Sequence, residues 1–128
     1  KMIGDVKGKQ IGVLGLSFKP ETDDMRESPA IDIIKELTKR GASVKAYDPV
    51  AMEEAKHFLP EIDYAVDEYD AITGADMLLI ITEWNQFRAL DMEKVKNLLK
   101  SPKIADLRNI YEPDDMRELG FEYVGVGR

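Results

Sequence analysis

The feature that most constrains the fold of this chain is a regular alternation of strand-like and helix-like segments along its 128 residues. Residues 77–81, with the sequence MLLII, form a continuously apolar run, which is typical of a strand covered on both faces of a sheet. Strands that alternate with helices imply βαβ units, in which neighbouring strands run parallel. The sequence therefore predicts an α/β fold, with a Rossmann-like, doubly wound and mainly parallel sheet of about six strands.

Six strands and five helices are predicted from these patterns. The strands are Gln10–Leu16, Ser43–Tyr47, Asp63–Ala65, Met77–Thr82, Lys103–Asp106 and Phe121–Val126. The helices are Pro29–Arg40, Pro49–Leu59, Glu68–Thr73, Met92–Lys100 and Pro113–Leu119. The first helix has the best-marked ends, because Ser28 suits an N-cap, Pro29 a first helical position and Gly41 a left-handed position after the C-terminus. We expect the first strand to lie at the centre of the sheet.

Length and composition exclude several classes of protein. Residues 9–128 are long enough for one domain with a single substantial core, and residues 1–8 are expected to be the remnant of a connection to another domain. The net charge of −7 argues against a nucleic-acid or anionic-membrane surface. No segment resembles a signal peptide or a membrane span, so a cytoplasmic setting is expected. The chain has no cysteine, which excludes a thiolate metal site and a cysteine nucleophile within it.

The usual sequence signatures of catalysis are missing as well. A dinucleotide fingerprint needs GxGxxG at a strand–helix turn, whereas Gly12 and Gly15 are too sparse and thirteen residues separate Gly15 from the next helix. There is no Walker-type lysine loop and no Ser-His-Asp arrangement. His57, the single histidine, lies off the apolar stripe of its helix and is predicted to be a surface residue. We therefore predict no catalytic residue and no metal site in this chain.

Ligands of such folds bind at the carboxyl ends of the strands, and the longest connection there is the loop from Gly15 to Ser28. Between Phe18 and Ser28 the loop has four acids against two cations, Lys19 and Arg26, for a local charge of about −2, so it is no simple phosphate cradle. From the residues alone, it can also be a purely structural loop that is held together by ion pairs between its own side chains.

Three further residues follow predicted strands. Arg108 can pair with a phosphate as a planar guanidinium, or it can be a surface arginine paired with Asp106. Asp48 can bind ribose hydroxyls, but with Pro49 it forms a favourable N-cap and first-position pair, which is the interpretation that we favour. Trp84 can belong to the core, but for a tryptophan at the carboxyl end of a strand we favour a place at a cleft or a domain interface.

Four segments in a consistent order resemble one known family. They are GLSFKPETDDMRESPAIDIIKEL, AYDPVA, TEWNQF and DLRNIYEP…ELGFEYVGVGR, and together they extend over about residues 9–128. This combination resembles the C-terminal, nucleotide-sugar-binding domain of the UDP-glucose/GDP-mannose dehydrogenase family. The residues of the TEW and RNIYEP motifs are most similar to the members that act on UDP-glucose. One position departs from the family pattern Asp-Gly-Arg, because Leu107 stands between Asp106 and Arg108.

The resemblance implies a division of labour within a longer enzyme. Such enzymes oxidise UDP-glucose to UDP-glucuronate with two NAD, through a cysteine thiohemiacetal. The cysteine and most of the NAD site would lie in an N-terminal domain, and the full enzyme would be a homodimer. In this chain Phe18, Lys19 and Arg108 would bind the nucleotide-sugar and Arg26 would reach NAD across the interdomain cleft. The chain alone would then be inactive.

Two other functions are compatible with parts of the sequence. One is a stand-alone nucleotide- or CoA-binding regulatory Rossmann module, which would bind its ligand without the rest of an enzyme. The other is a receiver-like signalling domain, for which Asp23 and Asp24 supply acids after the first strand. No aspartate ends the third predicted strand, so the receiver-like hypothesis is disfavoured.

Overall fold

The computed structural model describes residues 6–17, 25 and 28–125, and this part of the chain forms six strands and six helices. The strands are β1 Gln10–Leu14, β2 Ser43–Tyr47, β3 Asp63–Tyr64, β4 Met77–Ile80, β5 Lys103–Asp106 and β6 Glu122–Gly125. The helices are α1 Pro29–Lys39, α2 Met52–Phe58, α3 Glu68–Ile72, α4 Asn85–Arg88, α5 Met92–Leu98 and α6 Pro113–Glu118.

All six strands belong to one sheet in the order β3-β2-β1-β4-β5-β6, and each of the five neighbouring pairs is parallel. This confirms the predicted Rossmann-like, doubly wound sheet and the central position of β1. The strand order reverses between β1 and β4, which run side by side. In such sheets the crevice at this reversal, outside the carboxyl ends of the strands, is where ligands bind.

The sheet separates two hydrophobic clusters. One contains the buried residues of α1 and α2 together with Ile11 and Val13 of β1. The other contains the buried residues of α3, α4, α5 and α6 together with Leu14. Alternate residues of β4 enter opposite clusters, which is why its apolar run has no polar interruption.

Gly12 allows α3 to approach the central strand closely. A Cβ atom at this position would lie 2.5 Å from the backbone oxygen of Ala71. Because that neighbour is backbone, it cannot rotate away as a flexible side chain could. The glycine that failed to complete a dinucleotide fingerprint therefore has a packing role in β1.

The predicted ends of α1 agree with the structure. The Ser28 hydroxyl accepts a hydrogen bond from the Ala30 N–H at 3.2 Å, Pro29 begins the helix, and Gly41 follows it with φ +95°. The same hydroxyl donates to the Leu16 carbonyl at 2.6 Å, so the cap also ties α1 to the segment after β1.

Several predicted boundaries are wrong by a few residues, and one helix was not predicted. β1 ends at Leu14 instead of Leu16, because Gly15 turns the chain with φ +94°. Helix α2 begins at Met52, not at Pro49. The additional helix is α4, a single turn that has too few residues to show a periodic apolar pattern. Among the described residues, no helix is long and apolar enough to cross a bilayer.

Candidate functional site

The carboxyl ends of β1, β2, β4 and β5 form one edge, and a buried aspartate links the first two of them. Asp48 follows β2 and is fully buried. Its Oδ2 accepts hydrogen bonds from the N–H groups of Leu16 at 2.8 Å and Ser17 at 3.4 Å. Its Oδ1 accepts from the N–H groups of Val50 at 2.9 Å and Ala51 at 2.8 Å. The carboxylate of Asp48 therefore holds the backbone of the segments that follow β1 and β2.

This arrangement corrects the expectation for Asp48. We expected an N-cap with Pro49 at the first helical position, but the N-cap of α2 is Ala51, which makes no side-chain cap. Asp48 instead closes a turn before the helix with Oδ1 and holds the segment after β1 with Oδ2. The reason is geometric, because the register of β1 on β2 pairs Leu14 with Tyr47 and brings the two following segments together.

A threonine after β4 fixes the same segment from the other side. The Thr82 hydroxyl donates to the Ser17 carbonyl at 2.7 Å, and both residues are fully buried. Gly15 lies against Thr82 so closely that a Cβ atom on Gly15 would be 2.5 Å from the threonine Cβ. Residues 15–17 are thus held between Asp48 and Thr82, at the start of the long loop that the sequence analysis singled out.

Asp106, the last residue of β5, organises the next connection. Its Oδ2 accepts from the N–H groups of Ile110 at 2.8 Å and Tyr111 at 3.2 Å, and also from the Tyr123 hydroxyl at 2.6 Å. Its Oδ1 accepts from the backbone N–H of Arg108 at 3.1 Å. The carboxylate is fully buried, so the loop that presents Arg108 is built around a charge inside the protein.

The backbone of this loop accommodates the leucine that departs from the family pattern. Among the described residues other than glycine, Asn109 alone has a positive φ, at 55°. Leu107 thus has a negative φ and packs against the cluster under α1 and α2. The left-handed residue is an asparagine, which tolerates that conformation better than most side chains do.

Arg108 is the one predicted site residue that the structure describes. Its Nε donates to the carbonyl of Ile81 at 2.8 Å, and its Nη1 lies 3.4 Å from Oε1 of Glu83. The side chain is 29% exposed, so it lies partly at the surface of this edge, while its Nε is held by the carbonyl of Ile81. The carboxylate beside the guanidinium is that of Glu83, whereas Asp106 binds the backbone of Arg108.

The other predicted ligand-binding residues, Phe18, Lys19 and Arg26, lie outside the described residues. Met25, between them, is described and is buried in the cluster under α1 and α2. The carbonyl of Met25 accepts from the Ser28 N–H at 3.1 Å, so Met25 is tied to the N-cap residue of α1.

Trp84 lies elsewhere than expected. We predicted a place at a cleft or interface, but the side chain belongs to the hydrophobic cluster under α3–α6, beside the fully buried Phe87. Trp84 is the N-cap residue of α4. Its Nε1 is buried and has no hydrogen-bond partner among the described residues. His57 is exposed, as predicted.

Tyrosines complete the buried network around Asp106. The Tyr123 hydroxyl also lies 3.1 Å from the Tyr111 carbonyl, and the Tyr111 hydroxyl donates to the carbonyl of Phe87. Burial, followed by the nearby Asp106 charge, raises the pKa of Tyr111 well above its usual range. Sequence reasoning missed Asp106, Thr82 and Glu83 as organising residues, and the available signal was their position at the ends of predicted strands.

Comparisons with known proteins agree with this geometry. The family model described as "UDP-glucose/GDP-mannose dehydrogenase family, UDP binding domain" matches residues 12–113, which include both buried aspartates and Arg108. The chain belongs to the UDP-glucose/GDP-mannose dehydrogenase family. The match confirms the resemblance found in the sequence, and it makes the chain a UDP-binding domain of that family.

Two relatives show how much of a family member this chain represents. The UDP-glucose 6-dehydrogenase of Rhizobium meliloti (strain 1021) is 51% identical over 125 residues, which are 98% of this chain and 29% of the relative. The UDP-glucose 6-dehydrogenase TuaD of Bacillus subtilis (strain 168) is 46% identical over 99% of the chain and 28% of the relative. The chain thus spans less than a third of the length of these relatives.

Solved structures of the family share the fold. A UDP-glucose dehydrogenase from Pyrobaculum islandicum aligns with a TM-score of 0.78 and 34% identity, over 97% of this chain and 26% of that one. An NDP-N-acetyl-D-galactosaminuronic acid dehydrogenase from Methanosarcina mazei Go1 aligns with a TM-score of 0.84 and 27% identity, over 98% of this chain and 26% of that one. These proteins differ in the sugar that they are named for, although the domain that they share with this chain has one architecture.

Proposed function

We propose that this chain binds the UDP part of UDP-glucose, as the nucleotide-sugar-binding domain of an NAD-dependent UDP-glucose 6-dehydrogenase. The observation that supports the proposal best is Arg108 at the carboxyl edge of the sheet, on a loop built around Asp106. A guanidinium offers donors in a fixed plane that matches phosphate oxygens. The edge lies beside the reversal of strand order, where nucleotides bind in folds of this type.

The rest of the proposed enzyme follows from the family and from the short length of the chain. The longer protein would oxidise UDP-glucose to UDP-glucuronate with two NAD, and its N-terminal domain would hold the catalytic cysteine and most of the NAD site. NAD, when bound there, supplies the hydride acceptor. Residues 1–8 would belong to the connection between the domains, and the whole protein would be a cytoplasmic homodimer.

Three residues outside the described part have proposed roles. Phe18 and Lys19 would contact the nucleotide-sugar, and Arg26 would reach NAD across the cleft. The described residues of their loop support a place at this edge, since residues 15–17 are held by Asp48 and Thr82, and Met25 is hydrogen-bonded to Ser28 at the start of α1.

The first experiment titrates this chain separately with UDP, GDP, NAD and CoA by calorimetry or NMR. We expect UDP to bind more tightly than the other three. Arg108→Ala should weaken UDP binding about ten- to a hundredfold, because the loss of a hydrogen bond to a charged group costs about 1.5–3 kcal/mol. Arg117→Ala is the matched control, since Arg117 is an exposed arginine of α6 whose side chain pairs with Asp114.

The second experiment separates the two ligands in the longer protein. Lys19→Ala should weaken the binding of the nucleotide-sugar, whereas Arg26→Ala should raise the apparent KM for NAD. The chain by itself should reduce no NAD with UDP-glucose, because it contains no cysteine. Turnover by the purified chain would contradict the division of the active site between two domains. CoA binding without UDP binding would contradict the proposal and favour a stand-alone module.

A further inference from the structure

One turn after β4 holds the guanidinium of Arg108 in two places. The carbonyl of Ile81 accepts from Nε at 2.8 Å, and the carboxylate of Glu83 lies 3.4 Å from Nη1. Thr82, between these two residues, is itself fixed by its hydroxyl to the Ser17 carbonyl at 2.7 Å. The turn is therefore anchored to the sheet edge independently of Arg108, so it can act as a rigid support for that side chain.

The carboxylate of Glu83 has an unusual environment for a residue near the surface. Its Oε1 is buried and accepts no hydrogen bond from the described residues, although the side chain as a whole is 38% exposed. Within that part of the chain, the ion pair with Arg108 is the contact that opposes its charge. A buried acceptor without a hydrogen bond is unfavourable, and a partly buried ion pair adds little net stability. Stability alone is thus a weak reason for a glutamate at this position.

We propose that Glu83 is a positioning residue for Arg108, which restricts the guanidinium to one orientation before the nucleotide binds. The inference rests on the proposed function, in which Arg108 binds UDP. A side chain that is already ordered loses less conformational entropy when a ligand binds, so preorganisation appears as affinity. Glu83 therefore increases the affinity for UDP although its own charge repels phosphate.

The two effects of Glu83 have opposite signs, which makes the inference testable. If the carboxylate acted only through its charge, its neutralisation in Glu83→Gln would strengthen the binding of every phosphate ligand, and salt would screen the difference. If it positions Arg108, Glu83→Gln should weaken UDP binding by about two- to twelvefold, since ordering one long side chain costs about 0.5–1.5 kcal/mol.

The experiment measures UDP affinity by calorimetry at low and high salt for the wild-type chain and a set of variants. Glu83→Gln and Glu83→Asp should both weaken binding at both salt concentrations, because aspartate keeps the charge but is one methylene too short to reach Nη1. In the Arg108→Ala background, Glu83→Gln should cause no further loss. Glu118→Gln is the matched control, an exposed glutamate at the end of α6, which leads to the opposite edge of the sheet. Circular dichroism and thermal unfolding show whether each variant is folded.

The outcomes separate the inference from the proposed function. If the wild-type chain does not bind UDP, the proposed function fails and the inference falls with it. If the wild-type chain binds UDP and Arg108→Ala weakens it, but Glu83→Gln is unchanged or tighter, the inference alone is overturned. An unfolded Glu83→Gln variant together with a folded Glu83→Asp variant that binds like the wild type would overturn it as well.

Discussion

Asp48 and Asp106 are both fully buried, and both use their carboxylates to bind backbone N–H groups at the same edge of the sheet. Asp48 joins two segments that are 32 residues apart in sequence, one after β1 and the other after β2. The Asp106 carboxylate mainly binds N–H groups of its own loop, and within the described residues it contacts another strand through the Tyr123 hydroxyl. One aspartate therefore connects two strand ends, whereas the other shapes the loop that carries Arg108.

The two aspartates hold the segments after β1 and after β5 in different ways. Residues 15–17 are held from both sides, by Asp48 and Thr82, before the long loop begins. The loop after β5 wraps around the Asp106 carboxylate, which binds N–H groups of the loop, and the same loop carries Arg108. Removal of Asp48 and removal of Asp106 should consequently loosen different segments of the chain.

The largest expected effect comes from Asp48→Ala and Asp106→Ala, which leave buried N–H groups unpaired. Each should lower the free energy of unfolding by about 3–5 kcal/mol, measured by urea denaturation. By NMR hydrogen exchange, Asp48→Ala should accelerate the amides of Leu16 and Ser17, and Asp106→Ala those of the loop after β5. Glu61→Ala, at an exposed acid in a loop, should change stability by less than about 0.5 kcal/mol. Identical exchange patterns for the two aspartate variants would abolish the distinction.

The next effect tests the anchoring of the segment after β1. Gly15→Ala should cost about 2–4 kcal/mol, because it combines a positive φ with a clash against Thr82. Gly74→Ala is the matched control, since Gly74 also has a positive φ but would meet nothing within 4 Å. That variant should cost about 1–2 kcal/mol in the same thermal or urea unfolding assay. Equal costs would mean that the contact with Thr82 does not constrain this segment.

A smaller effect tests the hydrogen bond from Tyr123 of the neighbouring strand to the Asp106 carboxylate. Tyr123→Phe removes the hydroxyl that donates to the Asp106 carboxylate and should cost about 1.5–3 kcal/mol in urea unfolding. Tyr64→Phe removes a hydroxyl that donates to the neutral carbonyl of Leu59 and should cost about 0.5–1.5 kcal/mol. If Tyr123→Phe costs no more than Tyr64→Phe, the charge of Asp106 does not strengthen the link.

The smallest effect concerns alkaline pH and the loop around Asp106. The pKa of Tyr111 is raised above 10.0, chiefly by burial, so the folded state favours the neutral phenol. Its contribution to stability is fully present below pH 10 and decreases as the pH rises toward the folded-state pKa. Tyr111→Phe should cost about 0.5–1.5 kcal/mol at neutral pH and should lose stability less steeply above pH 10 than the wild type does. Equal slopes for the two proteins would show that the Tyr111 phenol is not held neutral by the fold.

Much of the fold was predictable because its signals are local. The apolar run of β4, the Ser28 cap and the position of Gly41 each depend on neighbouring residues and on backbone geometry. The end of β1 was predicted wrongly because Gly15 turns the chain directly after Leu14. The start of α2 was predicted wrongly because the Asp48 carboxylate closes a turn with the N–H groups of Val50 and Ala51 before the helix begins. The helix α4 was missed because four residues form a single turn, too short for a periodic pattern.

The candidate site divides in the same way. Position after a strand was enough to select Arg108, and the family resemblance selected Phe18, Lys19 and Arg26, whose roles remain proposals. The partners of Arg108 were beyond sequence reasoning, because Glu83 and Ile81 lie more than twenty residues away and meet it only through the pairing of β4 with β5. Trp84 was misplaced because no local pattern tells a core indole from one at a cleft.

By itself, the sequence determined that this chain is an α/β domain with a parallel sheet, no cysteine chemistry of its own and a cation after its fifth strand. Only the tertiary structure decided which carboxylate faces which donor. Strand register brings residues from distant parts of the chain to one edge, and there Asp48 and Asp106 satisfy backbone N–H groups while Glu83 contacts Arg108. The physical reason is that periodicity and capping act over a few residues, whereas a buried charge is stabilised by whichever donors the packed sheet brings to it.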